Sequence, residues 1–265
     1  MCGTALIKDV LETVPYFRRH EEKWRKPMGM WERFKCIIMD PPRAAWDIVH
    51  KPTQGGGAFV FFMNSFLYGL VGVVLFDKLD LSATSLSPDY ISLAGLGIYL
   101  SFVVIGIIYT AILWGLILLA QTIAQKYVAN VIPKWDKQGP VLTWMFFPSL
   151  LATGLYVVIL AIGLPRVTLT AAEVSGSLYS NLITAIGSLF INSGTGSVLA
   201  TWAVADSITI AFYFGYLSVL LAIAYREFYD VSTLRSLVAT VIAGIICAVI
   251  FVYTRSTFMA GVFLG

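Results

Sequence analysis

Long apolar runs alternate with short polar joints along the chain, and most of its organisation follows from that alternation. A helix needs about 20 apolar residues to cross a roughly 30 Å hydrocarbon core. Five runs suit such spans, at about 58–76, 92–122, 141–164, 199–225 and 237–253. The second is long, so it must tilt or project beyond the membrane. Pro148 lies inside the third, where its missing N–H and ring clash predict a kink. The stretch 165–198 is milder, with Leu182, Ile186, Leu189 and Phe190. It reads as an interfacial or re-entrant helix, or as a sixth crossing over Tyr179–Ile191 that is short for a span.

Residues 1–56 have a different rhythm. Leu6, Ile7, Val10 and Leu11 recur at helical spacing until Pro15. A basic segment follows, with Arg18, Arg19, Lys23, Arg25 and Lys26. Next comes an apolar stripe of Met30, Trp31, Phe34, Ile37 and Ile38, with Glu32, Arg33 and Lys35 as its polar counterpart. Asp40 precedes Pro41-Pro42, an N-cap acid followed by prolines where their missing N–H costs nothing. The helix they start carries Ala44, Ala45, Trp46, Ile48 and Val49. This pattern fits an amphipathic region at the membrane surface or a docking face for a cytoplasmic partner. Trp31, Arg33, Phe34 and Trp46 are its contact residues. The expected fold is an all-α polytopic membrane protein. An amphipathic interfacial arm, 1–56, precedes a five-helix transmembrane bundle, 57–265.

Composition agrees. Of the 265 residues, 58% are hydrophobic and 12% charged, about half the charged share of soluble domains. A soluble chain of this size lacks the polar groups to cover its surface with such a composition. Charge placement adds an orientation. Ten of the eighteen Lys and Arg residues lie in 1–56. With the amino end inside, Lys126, Lys134, Lys137, Arg226 and Arg235 join them, leaving Lys78, Arg166 and Arg255 outside. The positive-inside rule therefore favours five crossings in the cell membrane, with a cytoplasmic amino terminus and an outer carboxyl terminus. The first outer loop is acidic, with Asp77, Asp80 and Asp89.

Side chains suited to chemistry are sparse. His20 and His50 precede the first span, and Cys2, Cys36 and Cys247 form no C-x-x-C pair. Gly55-Gly56-Gly57 has no strand before it and reads as a flexible joint rather than a phosphate cradle. These readings imply no catalytic residues, no metal and no cofactor, and nothing suggests nucleic acid. Asp206 stands out inside the fourth span, with Ser207 and Thr209 beside it. An intramembrane acid faces a bundle interior or a wet cavity, or pairs locally. Small residues mark helix faces: Gly69 and Gly72 in the first span, and Ala94, Gly95, Gly97, Gly106, Ala111 and Gly115 in the second. They allow close helix approach, within the bundle or to another membrane subunit.

Three stretches resemble the Yip1-domain family of multispanning proteins, in its prokaryotic form. They are Glu32 to Val49, Phe146-Phe147-Pro148-Ser149-Leu150-Leu151, and Trp202 through Leu221 with Asp230 to Arg235. The resemblance covers about residues 30–254 and implies five spans with the amino end cytoplasmic. Eukaryotic members of that family are trafficking adaptors that contact small GTPases. Their Asp-Leu-Tyr-Gly-Pro-type motif is absent from the amino-terminal region, and Leu67-Tyr68-Gly69 in the first span does not replace it. The glycine-rich turn after span two is replaced by Asn130 to Gly139. GTPase contact is therefore not implied.

The leading expectation is a non-catalytic membrane scaffold or an accessory subunit of a larger membrane complex. Its partners would be the lipid bilayer, other integral subunits, or a cytoplasmic protein at the basic arm. The alternative is a small-solute or ion transporter or channel component using Asp206. A membrane enzyme ranks last.

Overall fold

The computed structural model describes residues 10–18, 27–51, 55–82, 84, 86–168 and 196–264. The expectations for Cys2, His20, most of the basic run and 169–195 lie outside these residues. Two short 3-10 turns, Val10–Thr13 and Pro15–Phe17, come first. Then follow α1 (Met30–Met39), α2 (Pro41–His50), α3 (Gly55–Asp77), β1 (Leu79–Asp80), α4 (Pro88–Tyr127), α5 (Trp135–Met145) and α6 (Ser149–Gly163). β2 (Val167–Thr168) precedes α7 (Gly196–Ile210), which passes through a π-helical segment, Ala211–Tyr216, into α8 (Leu217–Tyr229). The last element is α9 (Thr233–Leu264).

The protein is all-α, with apolar helices of membrane-crossing length preceded by shorter ones. Among the described residues, Gly55–Asp77, Pro88–Tyr127, Ala200–Tyr229 and Thr233–Phe251 are each long and apolar enough to span. Gln138–Met145 and Ser149–Gly163 meet at a 42° bend and make a further span if counted together. Pro148 closes the short break between them, where its ring and missing N–H interrupt the helical ladder. α4 runs 40 residues, about 60 Å, roughly twice the hydrocarbon thickness. Polar residues in the left-handed conformation stop two of the helices. Asn130 (φ 53°) follows α4, and Asp230 (φ 51°) caps α8.

The chain divides into two compact units. Unit 1 comprises Met1–Val60, Trp114–Pro148 and Phe212–Cys247. In it α2 packs on α1, α5 and α8. Ala124, Ala129, Ala239 and Ala243 form a small-residue core where α4 meets α9. Unit 2 comprises Phe61–Leu113, Ser149–Ala211 and Ala248–Gly265. Its core gathers Val71, Leu75, Phe102, Leu160 and Trp202 with their neighbours, and α6 packs on α7. β1 and β2 pair in parallel there, with Leu79 beside Val167 and Asp80 beside Thr168. At two residues each, these strands carry too short a pattern to be read from sequence.

Gly69, Gly72 and Gly106 bring α3 and α4 together within unit 2. A Cβ on Gly72 would lie 2.6 Å from the Phe102 ring, and one on Gly106 would lie 2.6 Å from Tyr68. The glycine run that reads as a flexible joint is instead the first turn of α3. A Cβ on Gly56 would overlap the Trp144 indole, and one on Gly57 would strike Thr143. Close approach to α5 excludes larger residues at both positions.

Candidate functional site

The residues expected at the interface build a compact site in unit 1. α1 and α2 form a hairpin, and its facing residues are buried: Phe34, Ile37, Ala44, Ala45 and Ile48 are at most 2% exposed. The protein itself covers this apolar face. Trp31 and Met39 stay outward, at 68% and 75% exposure. Phe34 stacks on Phe147, with ring centres 4.2 Å apart, and also contacts Phe59 and Trp144. Trp31 meets Phe34 and Phe59 edge-on.

Arg33 does not join Glu32 and Lys35 on the polar face. Its side chain is buried against Asp47, which is also buried, with Nε donating to Oδ2 at 2.7 Å. Arg33 Nη2 donates to the Lys51 carbonyl at 2.8 Å, and the guanidinium lies over the Trp144 ring, 5.0 Å from its centre. The Met28 N–H points at both Asp47 oxygens, at 3.3 and 3.4 Å. A buried pair holds where geometry is good and remaining polar atoms are satisfied; losing one partner strands a charge, costing about 3–5 kcal/mol. The sequence signal lay in the spacing. Arg33 falls four residues before Ile37, and Asp47 three after Ala44, so each shares a face with buried residues.

Trp46 is half-buried. It stacks on His50 at 4.5 Å, and the Lys51 ammonium lies 5.6 Å from its ring centre. Asp40 does stand at the start of α2, but its carboxylate makes no capping bond there. Burial pushes the Cys36 thiol in α1 up from its ordinary range.

A second buried cation, Arg226 of α8, also lies in unit 1. Nη1 donates to the Phe17 carbonyl and, at 2.8 Å, to the Thr233 hydroxyl; Nη2 donates to the Arg18 carbonyl at 3.2 Å. Thr233 in turn donates to Glu12 at 3.0 Å. Sequence reasoning treated Arg226 as a topology marker and missed this clasp on the amino-terminal segment. No local pattern links residues more than 200 positions apart.

Unit 2 holds the intramembrane polar groups. Asn64 of α3 donates to the Thr110 hydroxyl of α4 at 3.4 Å and accepts from Thr153 of α6 at 2.7 Å. Asp206 in α7 is half-buried, Ser207 exposed and Thr209 buried. Ser207 and Thr209 donate to the Ala203 and Ala205 carbonyls of their own helix. Among the described residues, no three His, Cys, Asp or Glu side chains come together as a metal site.

Fold and sites define a multi-span, largely helical membrane protein. In comparisons with known proteins, no family model, no curated protein and no solved structure matches the chain.

Proposed function

We propose that this protein is a non-catalytic scaffold or accessory subunit of a membrane complex. The observation that carries the reading is an outward face of α4 bearing two small-x-x-x-small pairs, Gly97–Ser101 and Ala111–Gly115. Gly97, Ala111 and Gly115 are exposed, and a Cβ on either glycine would meet nothing within 4 Å. Such pairs let another helix approach closely in a bilayer. The internal contacts of Gly69, Gly72 and Gly106 are already filled, so the open pairs are the ones available to a partner. Thr110 and Thr153 both bond to Asn64, which suits a packing role better than a solute path. The Yip1-domain resemblance points the same way, and with it we read the chain as five spans with the amino end cytoplasmic.

The test is Gly115→Leu. Open space around Gly115 lets the variant fold with a wild-type melting temperature. A chain that co-purifies with the wild type in gentle detergent should then be lost. Retention of the same chain at wild-type stoichiometry contradicts the proposal.

One observation favours a second reading, an ion or solute path at Asp206. Asp206 lies about one turn before the π-helical segment Ala211–Tyr216, and such segments recur at functional sites. Asp206→Asn then abolishes flux in proteoliposomes without loss of fold; unchanged flux removes this reading.

A further inference from the structure

The turn from α4 to α5 builds a groove that the scaffold reading does not use. At the end of α4, the Ala129 N–H donates to the Ala124 carbonyl at 3.3 Å and the Val131 N–H to the Gln125 carbonyl at 3.2 Å. Asn130, in the left-handed region, reverses the chain. Val131–Pro133 then fold back beside the last turns of α4. They enclose an open groove of about 650 Å³ within unit 1, whose lining includes Ile123, Lys126, Tyr127, Asn130, Ile132 and Trp135.

Two features of this lining are complementary. Its apolar part is strongly exposed, Ile132 at 83%. It also continues the exposed apolar positions Leu119 and Ile123 in the last turns of α4. These positions belong to a helix of membrane-crossing length, so an acyl chain can lie beside them. The polar part offers three N–H donors, the Lys126 ammonium, the Asn130 amide NH2 and the Trp135 indole N–H, beside the Thr122 and Tyr127 hydroxyls. Lys126 Nζ sits 5.2 Å from the Tyr127 ring centre. A lysine beside tyrosine and tryptophan at the end of an apolar helix is the composition of a headgroup zone. The lining residues include Lys126 and no acid, so the local field is positive. Lys134 itself turns to the Phe228 ring, 5.9 Å away, leaving Lys126 as the cation in the groove lining.

We propose that this groove binds an anionic phospholipid. The phosphate meets Lys126, with Asn130 and Trp135 as further donors, and an acyl chain lies along Ile132 and Ile123. An apolar peptide from a partner would fit the same hydrophobic wall, but it makes less use of three clustered donors and a positive field.

The test is native mass spectrometry of the full chain in detergent, titrated with palmitoyl-oleoyl phosphatidylglycerol or phosphatidylcholine. Phosphatidylglycerol should be held more tightly. Lys126 is exposed, so Lys126→Ala leaves the melting temperature unchanged. It should weaken phosphatidylglycerol binding about fivefold, the worth of one lysine near anionic lipid. Lys126→Arg should restore it, and Ile132→Asp should remove it. Equal affinity for the two lipids overturns the proposal. So does wild-type phosphatidylglycerol binding in both Lys126→Ala and Ile132→Asp, including the case in which a bound polypeptide is lost instead.

Discussion

The two units solve the problem of buried polarity in different ways. Unit 1 buries full charges. Arg33 meets a carboxylate, a backbone carbonyl and an indole face, and Arg226 meets two carbonyls and a hydroxyl. Unit 2 links its helices with neutral groups, Asn64, Thr110 and Thr153, amid an apolar core. The difference follows from the elements available. Short helices such as α1 and α2 have many ends, and their ends expose N–H and carbonyl groups that can surround a charge. Long apolar spans keep their backbone groups bonded to themselves, so a charge within one finds little compensation; Arg226 sits at the end of its span, where the amino-terminal segment supplies carbonyls. Charged locking therefore belongs to unit 1, and small-residue packing with amide–hydroxyl links to unit 2.

The sharpest break of this contrast is to strand a charge. Arg33→Ala or Asp47→Ala should cost about 3–5 kcal/mol, read as a large fall in melting temperature in detergent. Arg33→Met with Asp47→Leu should cost much less than either single change, because no charge is left behind. In unit 2 the vulnerable feature is shape. Gly72→Ala should cost about 1–3 kcal/mol through overpacking against Phe102, measured in the same assay. Asn64→Leu should cost about 1 kcal/mol, since Thr110 and Thr153 can turn to their own helix carbonyls.

The smallest effect concerns acid. The Ser82 hydroxyl and N–H hold the Asp80 carboxyl below its usual range, the N–H at 3.0 Å. A depressed carboxyl stabilises the fold above its unfolded pKa and loses that contribution as pH falls through the folded one. The melting-temperature difference between wild type and Asp80→Asn should thus shrink on acidification below the ordinary carboxylate range.

Much of this fold was legible in the sequence, for a physical reason. A span must be apolar over its whole length, so the runs at 58–76 and 92–122 reappear as Gly55–Asp77 and Pro88–Tyr127. Pro148 breaks the third run because proline acts locally. The amino-terminal helices were also placed correctly, starting at Met30 and Pro41. What they pack against was not legible. Arg33 and Asp47 meet across two helices, and a single-helix pattern assigns an arginine to solvent by default. Gly56 shows the same limit. Only the position of Trp144, some 90 residues later, tells a packing glycine from a hinge.

The central claim is that α1 and α2 are locked into the folded core of unit 1 by the buried Arg33–Asp47 pair. Hydrogen–deuterium exchange of the full chain in detergent tests it most directly. Amides of Phe34–Ile38 and Ala44–Ile48 should exchange as slowly as those of α3 in the wild type, and much faster in Arg33→Ala. Rapid exchange there in the wild type, or protection unchanged by Arg33→Ala, contradicts the account.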